Sequence, residues 1–273
     1  FAFAFSKPFC DFLFYLLWVE GPSPAVFQST PIHGYDHGRE THPPITLTKK
    51  KSVTEKKMEI DVFWSFRSPW SYLATPRLRK WQESYDLTVN FRPVYPIAIR
   101  TPDFFHNVPA QWQSYFMTDL QRVAEYLELP LVWPQPDPVN QSRDDNGKPY
   151  TEASQPHIHR LTMLGILAQE QGQGIEFADE ISRLIWSGTK NWHEGTKLQD
   201  AASRCKLDLG SMDEQIQQES SRLEAAIQTN QKAHDAAGHW GVPTCGYKGQ
   251  AYFGQDRLDV LLWALKKDGL NER

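Results

Sequence analysis

Asp61-Val62-Phe63-Trp64-Ser65-Phe66-Arg67-Ser68-Pro69-Trp70-Ser71-Tyr72-Leu73-Ala74 is the stretch whose reading decides the fold. It opens as a short apolar strand, passes through Ser68-Pro69 and enters a helix with hardly a loop between. Serine is a favoured N-cap, and proline is favoured in the first helical turn. A strand ending on such a cap sets a hydroxyl at the positive end of a helix, where backbone N–H groups lack partners. That end holds anions. A Ser-Pro cap by itself is only a structural device, so the remainder of the chain must say whether this one carries chemistry.

Working outward, Ile60 to Phe63 reads as the first strand and the helix after Ser68 runs to about Tyr85, with Leu73, Leu78 and Trp81 as its apolar positions. Pro76 must lie early enough to be tolerated, or must kink it. Leu87 to Pro93 alternates Leu87, Val89 and Phe91 and reads as a second strand. Strand, helix and strand in this length form a βαβ unit, with parallel strands and a right-handed crossover. At the far end, Thr244 to Tyr247 and Gln250 to Phe253 flank Lys248-Gly249, a hairpin signal. Asp256 is then placed to cap a last helix carrying Leu258, Leu261, Leu262 and Leu265.

The middle reads as mainly helical. Pro96 to Pro109 is a Pro-broken loop, Gln111 to Leu127 a helix, and Pro130 to about Gln155 a polar loop of unusual length. Ile158, Leu161, Leu164 and Leu167 form one apolar row, and Phe177, Ile181, Leu184 and Ile185 another. Glu194 to Cys205 is a further helix, and Met212 to about Ala237 one or two more, with Ile216, Leu223 and Ile227. The fold class is therefore α/β, a βαβ…ββα domain with a large all-helical insertion. Its expected divisions are 58–95 for the first half, 96–210 for the insertion and 211–273 for the second half.

Residues 1–57 differ in character. Phe1 to Val19 is apolar but interrupted by Lys7 and Asp11; it is short for a membrane span and lacks the basic start of a signal peptide. Gly21 to Pro44 is rich in Pro, Gly and His, and Lys49 to Lys57 is polar and basic. Such a segment buries little and is expected to be disordered, with Met58 as the native start. A mitochondrial transit peptide is the lesser reading, since Arg is scarce and acidic groups are present.

A net charge of −4 offers no electrostatic case for nucleic acid. Cys10, Cys205 and Cys245 lack paired spacing, which argues against a disulfide framework and for a reducing, cytoplasmic compartment. Cys245 reads as a small buried residue. His157, His159 and Trp192-His193-Glu194 lack zinc spacing, so no metal and no membrane partner are expected. Ten Trp residues mean either a well-filled core or a pocket for a flat ligand.

Three pieces in order, Ser68-Pro69-Trp70-Ser71-Tyr72-Leu73, Gly241-Val242-Pro243-Thr244 and Phe253-Gly254-Gln255-Asp256-Arg257, carry a resemblance. Residues 58–268 resemble the thioredoxin-like group with a helical insertion that includes periplasmic disulfide oxidoreductases (DsbA-like). Within it they look most like 2-hydroxychromene-2-carboxylate isomerases and kappa-class glutathione transferases. Disulfide oxidoreductases need Cys-x-x-Cys at this helix start, where a lowered-pKa thiolate attacks. Ser68-Pro69-Trp70-Ser71 cannot exchange disulfides.

The resemblance implies glutathione as cofactor, its thiolate held by the Ser68 hydroxyl and the helix dipole, with Ser68 the catalytic residue and Trp70 a further contact. It implies that Val242-Pro243 is a cis-proline pair whose backbone meets the glutathione peptide. It implies that Gln255, Asp256 and Arg257 receive the γ-glutamyl head, the acid taking its ammonium and the base its carboxylate. It implies that Asn107 meets glutathione or a small aromatic substrate, and that the chain forms a homodimer. Arg100, by its charge, is the candidate to balance a substrate carboxylate. The implied activity is cis–trans isomerisation of a conjugated aromatic oxo-acid. A kappa-like transferase and a non-catalytic glutathione- or peptide-binding module are the alternatives. In isolation, Asn107 reads as a turn residue, Pro243 as an edge proline and Asp256-Arg257 as a cap beside a surface Arg.

Overall fold

Ile60, Val62 and Trp64 alternate along strand β1 (Met58–Trp64), and all three are shut off from solvent. The computed structural model describes residues 57–145 and 147–273. The expectations for residues 1–56, including disorder and a leader, lie outside the described residues. β1 pairs in parallel with β2 (Leu87–Pro93), Val62 beside Phe91, and the crossover between them is helix α1 (Pro69–Ser84). The helix runs through Pro76 unbroken.

On its other edge β1 receives β5 (Thr244–Tyr247) antiparallel, Val62 opposite Cys245, and β5 receives β6 (Gln250–Phe253). The sheet order is β2-β1-β5-β6. At the β5–β6 turn Lys248 and Gly249 both adopt left-handed backbone, φ 47° and 74°, the geometry of a tight hairpin.

Between β2 and β5 stand α2 (Ile97–Arg100), α3 (Phe104–Asn107), α4 (Ala110–Tyr126), β3 (Gln141–Arg143), β4 (Pro149–Thr151), α5 (Pro156–Glu170), α6 (Gly174–Trp186), α7 (Lys197–Arg204) and α8 (Leu209–Ala236). α5 and α6 cover one face of the sheet. Gly165 lets α5 close in: a Cβ there would stand 3.2 Å from both the Phe66 and Phe91 rings. Trp64, Phe66, Phe91 and Phe177 meet edge to face beneath them, with ring centres 4.6–6.5 Å apart.

The insertion departs from expectation in three places. The 96–109 stretch is two one-turn helices rather than a loop. The polar stretch after Pro130 carries the antiparallel pair β3–β4, so the insertion is not wholly helical. The helix expected from Glu194 begins only at Lys197. α8 is continuous in outline but breaks at Glu219 (φ −123°, ψ 21°). Asp256 does not cap the last helix. Gly254, with φ 97°, turns the chain into a 3-10 turn at Gln255–Arg257, and α9 (Leu258–Lys267) begins after it without a side-chain cap. Among the described residues no helix is long and apolar enough to cross a membrane, and no His, Cys, Asp and Glu cluster could hold a metal.

Candidate functional site

Ser68 stands where β1 gives way to α1. As N-cap it keeps extended backbone (φ −95°, ψ 115°), and its Oγ accepts from Ser71 N–H at 3.2 Å. The same hydroxyl donates to the Val242 carbonyl at 3.2 Å, which ties the start of α1 to the loop before β5. Pro69 has no N–H, and the Trp70 N–H, second in the helix, has no intrahelical carbonyl to meet. Below, Trp64 Nε1 donates to Ser71 O and Thr75 Oγ1, fixing the first turn. Ser71 is fully buried, and its Oγ has no partner among the described residues.

The Val242-Pro243 bond is cis. Three side chains hold the loop in front of it. His234 on α8 donates Nε2–H to Gly241 O at 2.8 Å, since a carbonyl can only accept. Thr244 Oγ1 donates to the same oxygen at 2.6 Å. Arg100, from α2, donates Nη2–H to Trp240 O at 2.7 Å and Nε–H to Tyr95 O at 2.8 Å. Burial pushes the His234 imidazole down to about 4, and the nearby Arg100 cation adds to this, so it is neutral near pH 7. A Cβ on Gly241 would collide with the Phe253 ring, so only glycine lets the loop lie this close to β6.

Between the α1 start, this loop and the insertion lies a cavity of about 420 Å³. Ser68, Trp70 and Val242 form one side. Phe104, Phe105, Trp112 and Phe116 from α3 and α4 form the roof. Trp112 and Phe116 stack at 5.1 Å, and Phe116 meets Trp70 edge-on at 5.8 Å. Trp240, half exposed, leans against Phe104 at 5.2 Å on the rim. The walls suit a flat apolar body.

The charged part of the lining is cationic: Arg67, Arg100 and Arg143 contribute and no carboxylate does, beside the neutral Ser68, Gln113 and Gln141. Arg67 is fixed by Asp137, which accepts from Nε at 3.1 Å and Nη2 at 2.8 Å. The guanidinium lies over the Trp133 ring at 4.7 Å, and Trp133 Nε1 in turn donates to Asp137.

Of the residues picked from the sequence, Ser68, Trp70, Arg100 and Val242 are brought together around this cavity, with Pro243 behind Val242. Gln255, Asp256 and Arg257 form the turn after β6 and do not line it. Arg257 pairs with Asp256 at 3.3 Å, both side chains more than half exposed. Asn107 closes α3, exposed, with Nδ2 donating to Asp103 O at 3.0 Å, and does not line the cavity.

A family model described as a DSBA-like thioredoxin domain matches residues 59–266. The chain belongs to the DSBA-like thioredoxin family. Over 81 residues it is 35% identical to a 2-hydroxychromene-2-carboxylate isomerase of Pseudomonas putida, a match covering 28% of this chain and 40% of that protein. A protein of the same name from Pseudomonas sp. (strain C18) is 34% identical over 79 residues, covering 28% of this chain and 37% of that one. The chain thus spans about two fifths of the length of the curated relatives it matches. A solved 2-hydroxychromene-2-carboxylate isomerase superposes with a TM-score of 0.58 at 21% identity, over 77% of this chain and 95% of that one. A probable DsbA oxidoreductase from Streptomyces coelicolor gives 0.51 at 15%, over 77% and 89%. Both structures share the fold.

At the start of α1 this DSBA-like chain carries two serines three residues apart, Ser68 and Ser71, and no cysteine. The Ser68-Pro69 helix start and the cis Val242-Pro243 pair beside it were both legible in the sequence. Sequence reading missed Arg67, although Arg67 directly precedes Ser68. It also missed Trp240 and Arg143, which reach the cavity from a loop and a hairpin with no motif of their own.

Proposed function

We propose that residues 58–273 act as a glutathione-dependent cis–trans isomerase of the 2-hydroxychromene-2-carboxylate type, on a conjugated aromatic oxo-acid. The observation that carries this is Ser68: a hydroxyl, not a thiol, at the α1 start, 3.2 Å from the Val242 carbonyl and beside an aromatic cavity. A site built so cannot do disulfide chemistry, yet its hydroxyl and helix N-terminus are groups that favour a thiolate.

The residues present fit glutathione. A hydroxyl, a helix N–H without an intrahelical partner and the Val242 loop meet at the α1 start, and the exposed Asp256–Arg257 pair, outside the cavity lining, offers the opposite charges that an amino acid's two ends require. When bound, glutathione would supply a thiolate for reversible conjugate addition, the electron pair passing to the oxo group and back, which permits rotation about the double bond. Ser68 turns its O–H from Val242 O towards the sulfur while still accepting from Ser71 N–H. Trp70 N–H and the helix dipole add to this and lower the pKa of the borrowed thiol. Val242, its carbonyl released, pairs with the tripeptide backbone as a neighbouring strand does. The aromatic walls hold the flat substrate and exclude water. Cys205 and Cys245 are free and buried, which suits a reducing, cytoplasmic setting.

The test is turnover of a hydroxybenzylidene-type substrate with a trace of glutathione. An isomerase converts the substrate fully and leaves the thiol unconsumed. Consumption in step with product marks a transferase instead. Binding without turnover leaves a binding module, and either result removes the proposal.

A further inference from the structure

We infer that Arg143 is the specificity-determining residue of the cavity, reading the carboxylate of a flat aromatic acid. This deepens the isomerase reading by naming the residue that holds the substrate's acid group, and it replaces Arg100 in that task. The lining is aromatic and carries guanidinium groups with no carboxylate among them, so an uncharged ligand would leave its cationic side unmatched.

The three guanidiniums are not equivalent. Arg67 is already neutralised by a two-point bond to Asp137 and is nearly buried, with 11% of its side chain exposed. Arg100 commits Nε and Nη2 to the carbonyls of Tyr95 and Trp240, and moving it would loosen the Val242 loop. Arg143 is exposed and gives one N–H, on Nη1, to Gly147 O of its own turn at 2.6 Å. The planar fork of arginine has five N–H donors and matches a carboxylate at two points.

Its mounting supports the task. β3–β4 is stitched to α2 and α3: Thr151 Oγ1 donates to Ala98 O at 3.0 Å, and Lys148 Nζ lies 3.2 Å from His106 Nε2. Arg143 is therefore carried to the cavity on a braced hairpin. Arg143, Trp112, Phe116 and Ser68 line the same cavity, so one flat acid bound there has both ring and guanidinium partners.

Cinnamate and cinnamamide, equal in shape and differing in charge, are the probes, and quenching of the cavity tryptophans is the readout. The wild-type chain should bind cinnamate about tenfold or more tightly than the amide. Arg143→Gln should erase that preference with an unchanged melting curve, and Arg143→Lys should keep only part of it, since an ammonium lacks the fork. Equal binding of both probes by the wild type overturns the inference. So does a preference that survives in Arg143→Gln, which would return the task to Arg100. Neither measurement needs turnover, so an absent isomerase activity would remove the proposed reaction and leave this result standing.

Discussion

The Ser68 hydroxyl has two jobs that one substitution separates. Ser68→Ala should lower kcat/KM about ten- to a hundredfold, the worth of one or two charge-assisted hydrogen bonds, and raise the pKa of bound glutathione. It should also cost about 1 kcal/mol of stability, because Ser71 N–H loses its cap. Thiol absorbance against pH reads the first effect and urea unfolding the second. Loss of stability with an unmoved thiol pKa would reduce Ser68 to a cap. Arg257 poses the complementary case. Its partner Asp256 is as exposed as itself, and such pairs add little stability. Arg257→Ala should cost about 1.5–3 kcal/mol of glutathione affinity by calorimetry, with no change in melting. Unchanged affinity would leave Arg257 an ordinary surface cation.

At the scale of elements, the loop between α8 and β5 depends on a neutral imidazole. Folded His234 takes a proton only near pH 4, because burial disfavours the charge, whereas the unfolded side chain takes one near its ordinary 6.5. Between these values the unfolded chain binds more protons, so stability falls as pH drops from 6.5 to about 4 and is unaffected by this group above that window. The full loss is on the order of 3 kcal/mol. His157 and His239 are also lowered by burial and act in the same direction, so the measurement is a difference. Urea unfolding at pH 7.5 and 4.5 should show a smaller drop for His234→Gln than for the wild type. An equal drop would show that this imidazole is not held neutral.

The same scale shows what sequence could tell. β1, α1 and β2 were readable because alternation and a cap act within a few residues, and the β5–β6 turn because Lys248-Gly249 acts locally. β3–β4 was not. Gln-Ser-Arg and Pro-Tyr-Thr carry no apolar alternation, and the hairpin is anchored by a bond from Thr151 to a residue of α2. The Asp256 cap failed because Gly254 redirects the chain first, by a backbone angle that the side-chain pattern does not record. Arg100 was picked for its charge, while the structure gives its donors to carbonyls from two distant segments.

For the whole molecule, the kinship with DSBA-like proteins makes a prediction of its own. Ser68→Cys with Ser71→Cys should create a redox-active pair, since a helix N-terminus lowers the pKa of a cysteine placed there and residue 71 lies buried behind it. Insulin reduction in the presence of dithiothreitol reads it. A folded double variant without such activity would mean that the helix end does not stabilise a thiolate.

β1 lies between β2 and β5, and its two neighbours reach it at very different times during synthesis. β2 follows at once, but β5 emerges from the ribosome only after the whole insertion has been made. Until then the Asp61–Phe63 edge, which β5 will cover, has bare N–H and C=O groups in an apolar strand, a template for pairing with any other nascent chain. A chain ending at Ala236 should therefore collect in the pellet or with chaperones, while one that extends through β5 and β6 to Arg273 stays in solution. Site and safeguard arrive together: the residues that bring Val242 to Ser68 are followed at once by the strand that closes the sheet's open side.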